Sequence, residues 1–200
     1  MSQTAPQAGD QRVARSRAAV LEAGVELLVE GGPNAVTVEA VVHRSGVAKT
    51  TIYRHWSSRD DLVVDVIGEV VGSRPVPPTD MAFEPALRVL MRANCTQARE
   101  DRLRRAFPAL LLAKAQGQPA LDQLRSRSDE EQAVQLEDLL QRGVAEGRLA
   151  PDVTLEDALL QLVAPLVLIT CDFRDFGDDV ADRIVDLFLA SHRPGSSSSG

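Results

Sequence analysis

Ser45-Gly46-Val47-Ala48-Lys49-Thr50-Thr51-Ile52-Tyr53-Arg54-His55-Trp56 is the stretch on which the reading of this chain turns. Gly46 sits where a tight helix-to-helix turn needs a residue able to take the left-handed conformation. Beyond it Val47, Ile52 and Trp56 serve as buried anchors. Lys49, Thr50, Thr51, Tyr53, Arg54 and His55 place two strong cations, small hydroxyls, a phenol and an imidazole on the exposed side of a short helix. A helix so equipped has the donors and the charge to enter the major groove of DNA.

Working outward, Thr37 stands where an N-cap belongs, with Glu39 in the first turn of a helix over about 38–44. Upstream, Val20, Gly24, Leu27 and Leu28 share a face of an earlier helix that Gly31-Gly32-Pro33 ends. Downstream, Ser58 and Asp61 have capping-box spacing and open a helix that carries Leu62, Val66 and Val70 as far as Gly72. Pro75, Pro77 and Pro78 cannot continue it, which places a boundary there. The resulting division is a disordered arm over 1–10, a head over 11–72, a linker over 73–80, a body over 81–192 and a disordered tail over 193–200. The body reads as five helical stretches, about 83–99, 101–115, 128–146, 155–170 and 178–191, with Pro108 and Pro165 expected to kink or split two of them.

Composition agrees with helices packed on helices: 44% of residues are hydrophobic but only 4% aromatic, and Leu, Val and Ala abound. The fold expected is therefore all-α, with about nine helices in total. The formal net charge of -7 argues against a protein that coats nucleic acid, until it is divided along the chain. Residues 44–59 hold four cations (Arg44, Lys49, Arg54, Arg59) and no carboxylate, whereas the chain after Asp60 is acidic. A basic head can approach DNA while the body is repelled by it. The plainer alternative is a solvated basic patch with no partner.

Other classes find little support. Cys95 and Cys171 lie far apart without metal spacing and read as small apolar side chains. Asp172, Asp175, Asp178, Asp179 and Asp182 lack the calcium-loop pattern and read as a solvated loop and helix start, so neither metal nor cofactor is expected. There is no GxSxG, phosphate-cradling glycine loop or HExxH, which argues against an enzyme. The polar N-terminus and the short longest apolar run imply a cytoplasmic protein without a membrane span.

Within the head, Lys49, Thr50 and Thr51 at the leading end of the reading helix are the base-contact candidates, and Tyr53, Arg54 and His55 the phosphate-contact candidates. Arg59, opening the next helix beside free backbone N–H groups, suits a phosphate clamp. Thr37 is either a second such contact or a cap and nothing more.

These residues resemble the DNA-binding head of the tetracycline-repressor (TetR) family of bacterial transcription regulators. The resemblance is carried by Thr37, Gly46-Val47, Thr51, Tyr53, Arg54-His55-Trp56 and Arg59 where the family usually has lysine, with Val42 where alanine is common. It implies a helix-turn-helix head and a larger helical C-terminal domain that binds a small-molecule effector and forms a homodimer through its last two helices.

Read independently, the final helix has Val180, Ile184, Leu187 and Phe188 on one side and Ala181, Val185 and Leu189 on another, wider than one core-facing stripe. Residues 158–169 are apolar nearly all round. Together they suit an intersubunit four-helix bundle, with Ile184, Leu187 and Phe188 as the interface, or a core within one chain. Asn94 and Gln161 are polar positions among apolar ones, either contacts to an apolar or amphipathic effector or hydrogen-bonded structural residues. The function expected is a dimeric, sequence-specific DNA-binding regulator, a repressor released from a palindromic operator by its effector. The alternative is a helical interaction module whose helix-turn-helix no longer reads DNA.

Overall fold

The computed structural model describes residues 8–72, 75–117, 119–171, 177 and 179–195. Every regular element among the described residues is helical, and no strand occurs among them. The chain divides into two compact units, Met1–Gly72 with Pro108–Leu124, and Ser73–Phe107 with Arg125–Gly200.

The first unit is built on α1 (Ala8–Gly31), which packs against α4 (Arg59–Val71) and α2 (Val38–Ser45), with α3 (Lys49–His55) beside them. A 3-10 turn, Pro33–Ala35, joins α1 to α2. Helix α1 begins inside the stretch expected to be an arm; residues 1–7 lie outside the described residues. Its core gathers Val20, Leu28, Val41, Ile52, Leu62 and Val66, each 1% exposed or less. The crossing of α1 and α4 leaves no room for a methyl at Gly24, where a Cβ would lie 2.4 Å from Val66 Cγ2.

The second unit contains α5 (Phe83–Ala98), the first half of α6 (Asp101–Ala115), most of α7 (Pro119–Ala145), α8 (Leu155–Ala158), a π turn (Leu159–Val163), α9 (Ala164–Cys171) and α10 (Val180–Ser191). Helix α7 starts earlier than the expected residue 128. Residues 108–124, within the expected 81–192 body, cluster with the first unit.

Phe83, Leu87, Leu139, Leu162, Val185 and Phe188 are at most 1% exposed and centre the second core. No side chain caps α5; instead both carboxylate oxygens of Glu146 accept the Phe83 N–H at 3.0 Å. Arg142 Nη1 donates to the carbonyls of Pro78 (2.9 Å) and Met81 (2.7 Å), tying down the described part of the expected linker. Helices α5 and α10 are joined by ions as well as by packing: Arg88 reaches Asp186 (2.6 Å) and Asp182 (3.3 Å), and Arg92 reaches Asp182 (2.8 Å). Arg88 also pairs with Glu84, which Arg148 contacts too. Asp172, Asp175, Asp178 and residues 196–200 of the tail lie outside the described residues.

The helical stretch that holds Pro165 is split, as expected, into α8 and α9 by the π turn, whereas α6 runs on through Pro108. Proline has no N–H and a ring that crowds the carbonyl four residues back. In the π turn just before Pro165 the Ala164 N–H bonds to Leu159 O, five residues back. Ala158, Leu162 and Ile169 then face the core, while Leu159, Leu160, Val163, Val167 and Leu168 are 39% to 67% exposed.

On α10 the three residues expected at the interface, Ile184, Leu187 and Phe188, differ in exposure. Ile184 (7% exposed) and Phe188 (0%) belong to the chain's own core, and only Leu187 (70%) faces outward. Residues four apart stay on one line of a helix, whereas a step of one turns by about 100°. Leu187 is thus rotated away from the line that Ile184 and Phe188 share.

Gly24→Ala tests the α1–α4 crossing. Overpacking costs up to about 3 kcal/mol, more than the about 1 kcal/mol that helical alanine regains over glycine. A net loss of about 1–2 kcal/mol should appear as a lower urea midpoint with an unchanged slope.

Candidate nucleic-acid interface

The helix-turn-helix is made by local chemistry. Thr37 has extended backbone, and its Oγ1 accepts the Ala40 N–H at 3.1 Å, so the hydroxyl is an N-cap. At the other end of α2, Gly46 has φ 68° and its N–H bonds to Val42 O at 3.0 Å. Such a conformation strains any residue with a Cβ. Ser45 Oγ accepts the Val47 N–H at 3.2 Å, guiding the chain into α3. Val42 is half-buried.

Helix α3 is fastened from beneath. Ile52 (1% exposed) and Trp56 (3%) enter the core, and the indole N–H donates to Asp65 Oδ2 at 2.9 Å. Arg17 Nη2 meets the same oxygen at 2.7 Å, with its guanidinium 5.7 Å from the Trp56 ring centroid. One carboxylate on α4 therefore holds α1 and the end of α3 together. A buried indole requires an acceptor, but its spacing from Asp65 and Arg17 followed no motif, and sequence reasoning missed both partners.

The outer side of α3 presents Lys49, Thr50, Tyr53 and Arg54 as exposed residues, with Thr51 and His55 half-buried. The His55 ring leans on Trp56, 5.4 Å between centroids. Lys49 Nζ is 2.6 Å from Glu39 Oε1, across the turn, and 5.9 Å from the Tyr53 ring centroid. Their hydrogen bond holds the Glu39 carboxyl below its ordinary range and the Lys49 ammonium above its own. Glu39 was read from sequence only as a first-turn carboxylate.

The four cations of residues 44–59 are not equivalent. Arg44 is spent on α1, with Nη1 and Nη2 each 2.8 Å from a Glu30 oxygen. Arg59, the expected phosphate clamp, has its donors engaged within the head. Its Nε donates to Val36 O at 3.0 Å, its Nη2 to Pro33 O at 2.6 Å, and Nη1 lies 3.4 Å from Asp60. The 3-10 turn ends just before α2 and leaves carbonyls directed at the start of α4; the planar guanidinium fork fits them. Arg59 thereby secures the approach to the Thr37 cap. Arg54 projects into solvent with no ion pair to a described residue.

The other nominated positions are in the second unit. Asn94 is half-buried and donates its amide to Leu90 O of its own helix at 2.9 Å, while Gln161 is half-buried within the π turn. Cys95 is buried, which pushes its thiol up, and Cys171 is partly buried; neither forms a disulfide. Among the described residues no cluster of His, Cys, Asp or Glu is placed to hold a metal, and no helix is long and apolar enough to cross a membrane.

Comparison with known proteins gives two family matches. Residues 20–66 match "Bacterial regulatory proteins, tetR family", and residues 77–188 match "Tetracyclin repressor-like, C-terminal domain". The chain is 28% identical over 171 residues to an HTH-type transcriptional regulator of Bacillus subtilis, YdeS, covering 84% of this chain and 82% of that protein. Its fold is similar to that of the fatty acid degradation regulator FadR of Bacillus halodurans (TM-score 0.66, 15% identity, 96% of this chain and 100% of that one). It is also similar to GusR of Salmonella enterica (TM-score 0.64, 18% identity, 88% and 92%).

Arg59→Ala removes donors from two backbone carbonyls, one of which also receives the Val36 N–H. The head should lose about 1–2 kcal/mol, the range for a charged donor at a partly exposed site. Arg59→Lys should restore only part of it, because an ammonium lacks the fork. Denaturant unfolding without DNA measures both.

Proposed function

The chain belongs to the tetR family of bacterial regulatory proteins, and we propose that it acts as a homodimeric repressor that reads a palindromic operator through α3 and is released by a small apolar or amphipathic effector. The observation that carries this reading is a recognition-length helix pinned on its inner side by Ile52 and Trp56 and exposing Lys49, Thr50, Tyr53 and Arg54 on its outer side. A helix whose inner face cannot shift is able to place donors at base edges reproducibly. Lys49, Thr50 and Thr51 are assigned to bases, and Tyr53, Arg54 and His55 to phosphates. Thr37, as the cap of α2, and Arg59, on the carbonyls before it, are assigned to the phosphate-facing edge of the same interface.

Dimerisation is assigned to the apolar face left uncovered in the second unit: Leu159, Leu160, Val163, Val167 and Leu168, with Leu187 on α10, which packs against the π turn. A surface of this apolar character marks an interface in a water-soluble regulator, and two copies of a helix pair make a four-helix bundle. The effector is assigned to the second unit, with Asn94 and Gln161 as polar contacts.

Selection of bound duplexes from a random pool should return a palindrome whose half-site centres lie about 34 Å apart, or a multiple of it. Affinity should fall steeply between low and moderate salt; indifference to salt would remove phosphate neutralisation and the reading with it. Leu168→Glu combined with Leu187→Glu should sediment as a folded monomer with poor affinity for the palindrome. Persistence of the dimer would show that the subunits meet elsewhere.

A further inference from the structure

Glu39 is second in α2 and Lys49 first in α3, on opposite sides of the Gly46 turn, yet their side chains meet at 2.6 Å. Glu39 is 71% and Lys49 52% exposed, so the pair contributes little to holding the fold. The carboxylate is favourably placed by the α2 dipole alone and does not require a lysine. What it alters is the lysine. An ammonium that would neutralise any phosphate is itself neutralised, and is held between a carboxylate and the Tyr53 ring 5.9 Å away.

An ammonium has three N–H donors. With one on Glu39, two remain, enough for O6 and N7 of a guanine. On DNA of arbitrary sequence the paired Lys49 brings no net charge to a phosphate, so its free donors make a hydrogen bond there without the counterion release that drives nonspecific binding. At the correct register its free donors still find base acceptors. We infer that Glu39 is a specificity-determining residue, which turns Lys49 from a phosphate-seeking charge into an aimed, charge-neutral donor. The inference rests on the proposed DNA-reading role of α3.

The test uses the full chain on two probes, a random-sequence duplex and a duplex recovered by pool selection with the unaltered protein. Glu39→Gln frees the Lys49 charge, so on the random duplex the plot of log affinity against log salt should steepen by about 0.9 for each protomer engaged. Affinity there should rise about threefold or more at low salt, and the ratio of selected to random binding should fall by a similar factor. Adding Lys49→Ala should return the slope to its original value. An unchanged slope in Glu39→Gln would show that the freed Lys49 takes up no phosphate, and a steepening that survives Lys49→Ala would show only through-space repulsion by Glu39; either would overturn the inference alone. Absence of salt-dependent binding to either duplex by the unaltered protein would overturn the reading of α3, and this inference with it.

Discussion

A seven-residue helix does not persist in water by itself, and α3 has seven residues. Its order is borrowed from the contact of Trp56 and Ile52 with the core, and from the Asp65 carboxylate that accepts both the indole N–H and Arg17. The rest of the head serves that attachment. Close approach of α1 and α4 at Gly24 brings Arg17 and Asp65 within reach, and the Gly46 turn delivers α3 with its anchors inward. A reading helix held in this way presents its outer residues at fixed positions, which direct readout needs.

Charge is deployed with the same economy. The basic stretch that distinguishes the head from its acidic chain is in large part occupied internally: Arg44 on Glu30, Arg59 on backbone carbonyls, Lys49 on Glu39. Nonspecific affinity for DNA rises with each uncommitted cation. A head with few of them, in a chain of net charge -7, is suited to selective rather than indiscriminate attachment. Arginine at position 59, where the family usually has lysine, belongs to this pattern, because its fork satisfies carbonyls that an ammonium would satisfy less well.

In the second unit the organising constraint is Pro165. The π turn that precedes it shifts the phase of the helix, and the apolar run divides into a buried and an exposed set. The exposed set, joined by Leu187, is the surface on which the proposed dimer depends. The ionic links of Arg88 and Arg92 to Asp182 and Asp186 hold α10 against α5, with Ile184 and Phe188 committed to the core beneath.

Caps, turns and helix periods could be read from the chain because they join residues a few positions apart. Thr37, Gly46 and the Ser58–Asp61 capping box each perform the role that their local chemistry implies, and the all-helical fold follows from composition and spacing. Partners chosen by folding could not be read in the same way. Arg59 looked free beside a helix start, yet carbonyls 23 and 26 positions away claim it. Lys49 is met by a carboxylate 10 positions back, and Phe188 turns inward. Local patterns are decided by backbone geometry, which the residues carry with them. The state of a charge or an apolar face is decided by whatever the tertiary structure sets opposite it.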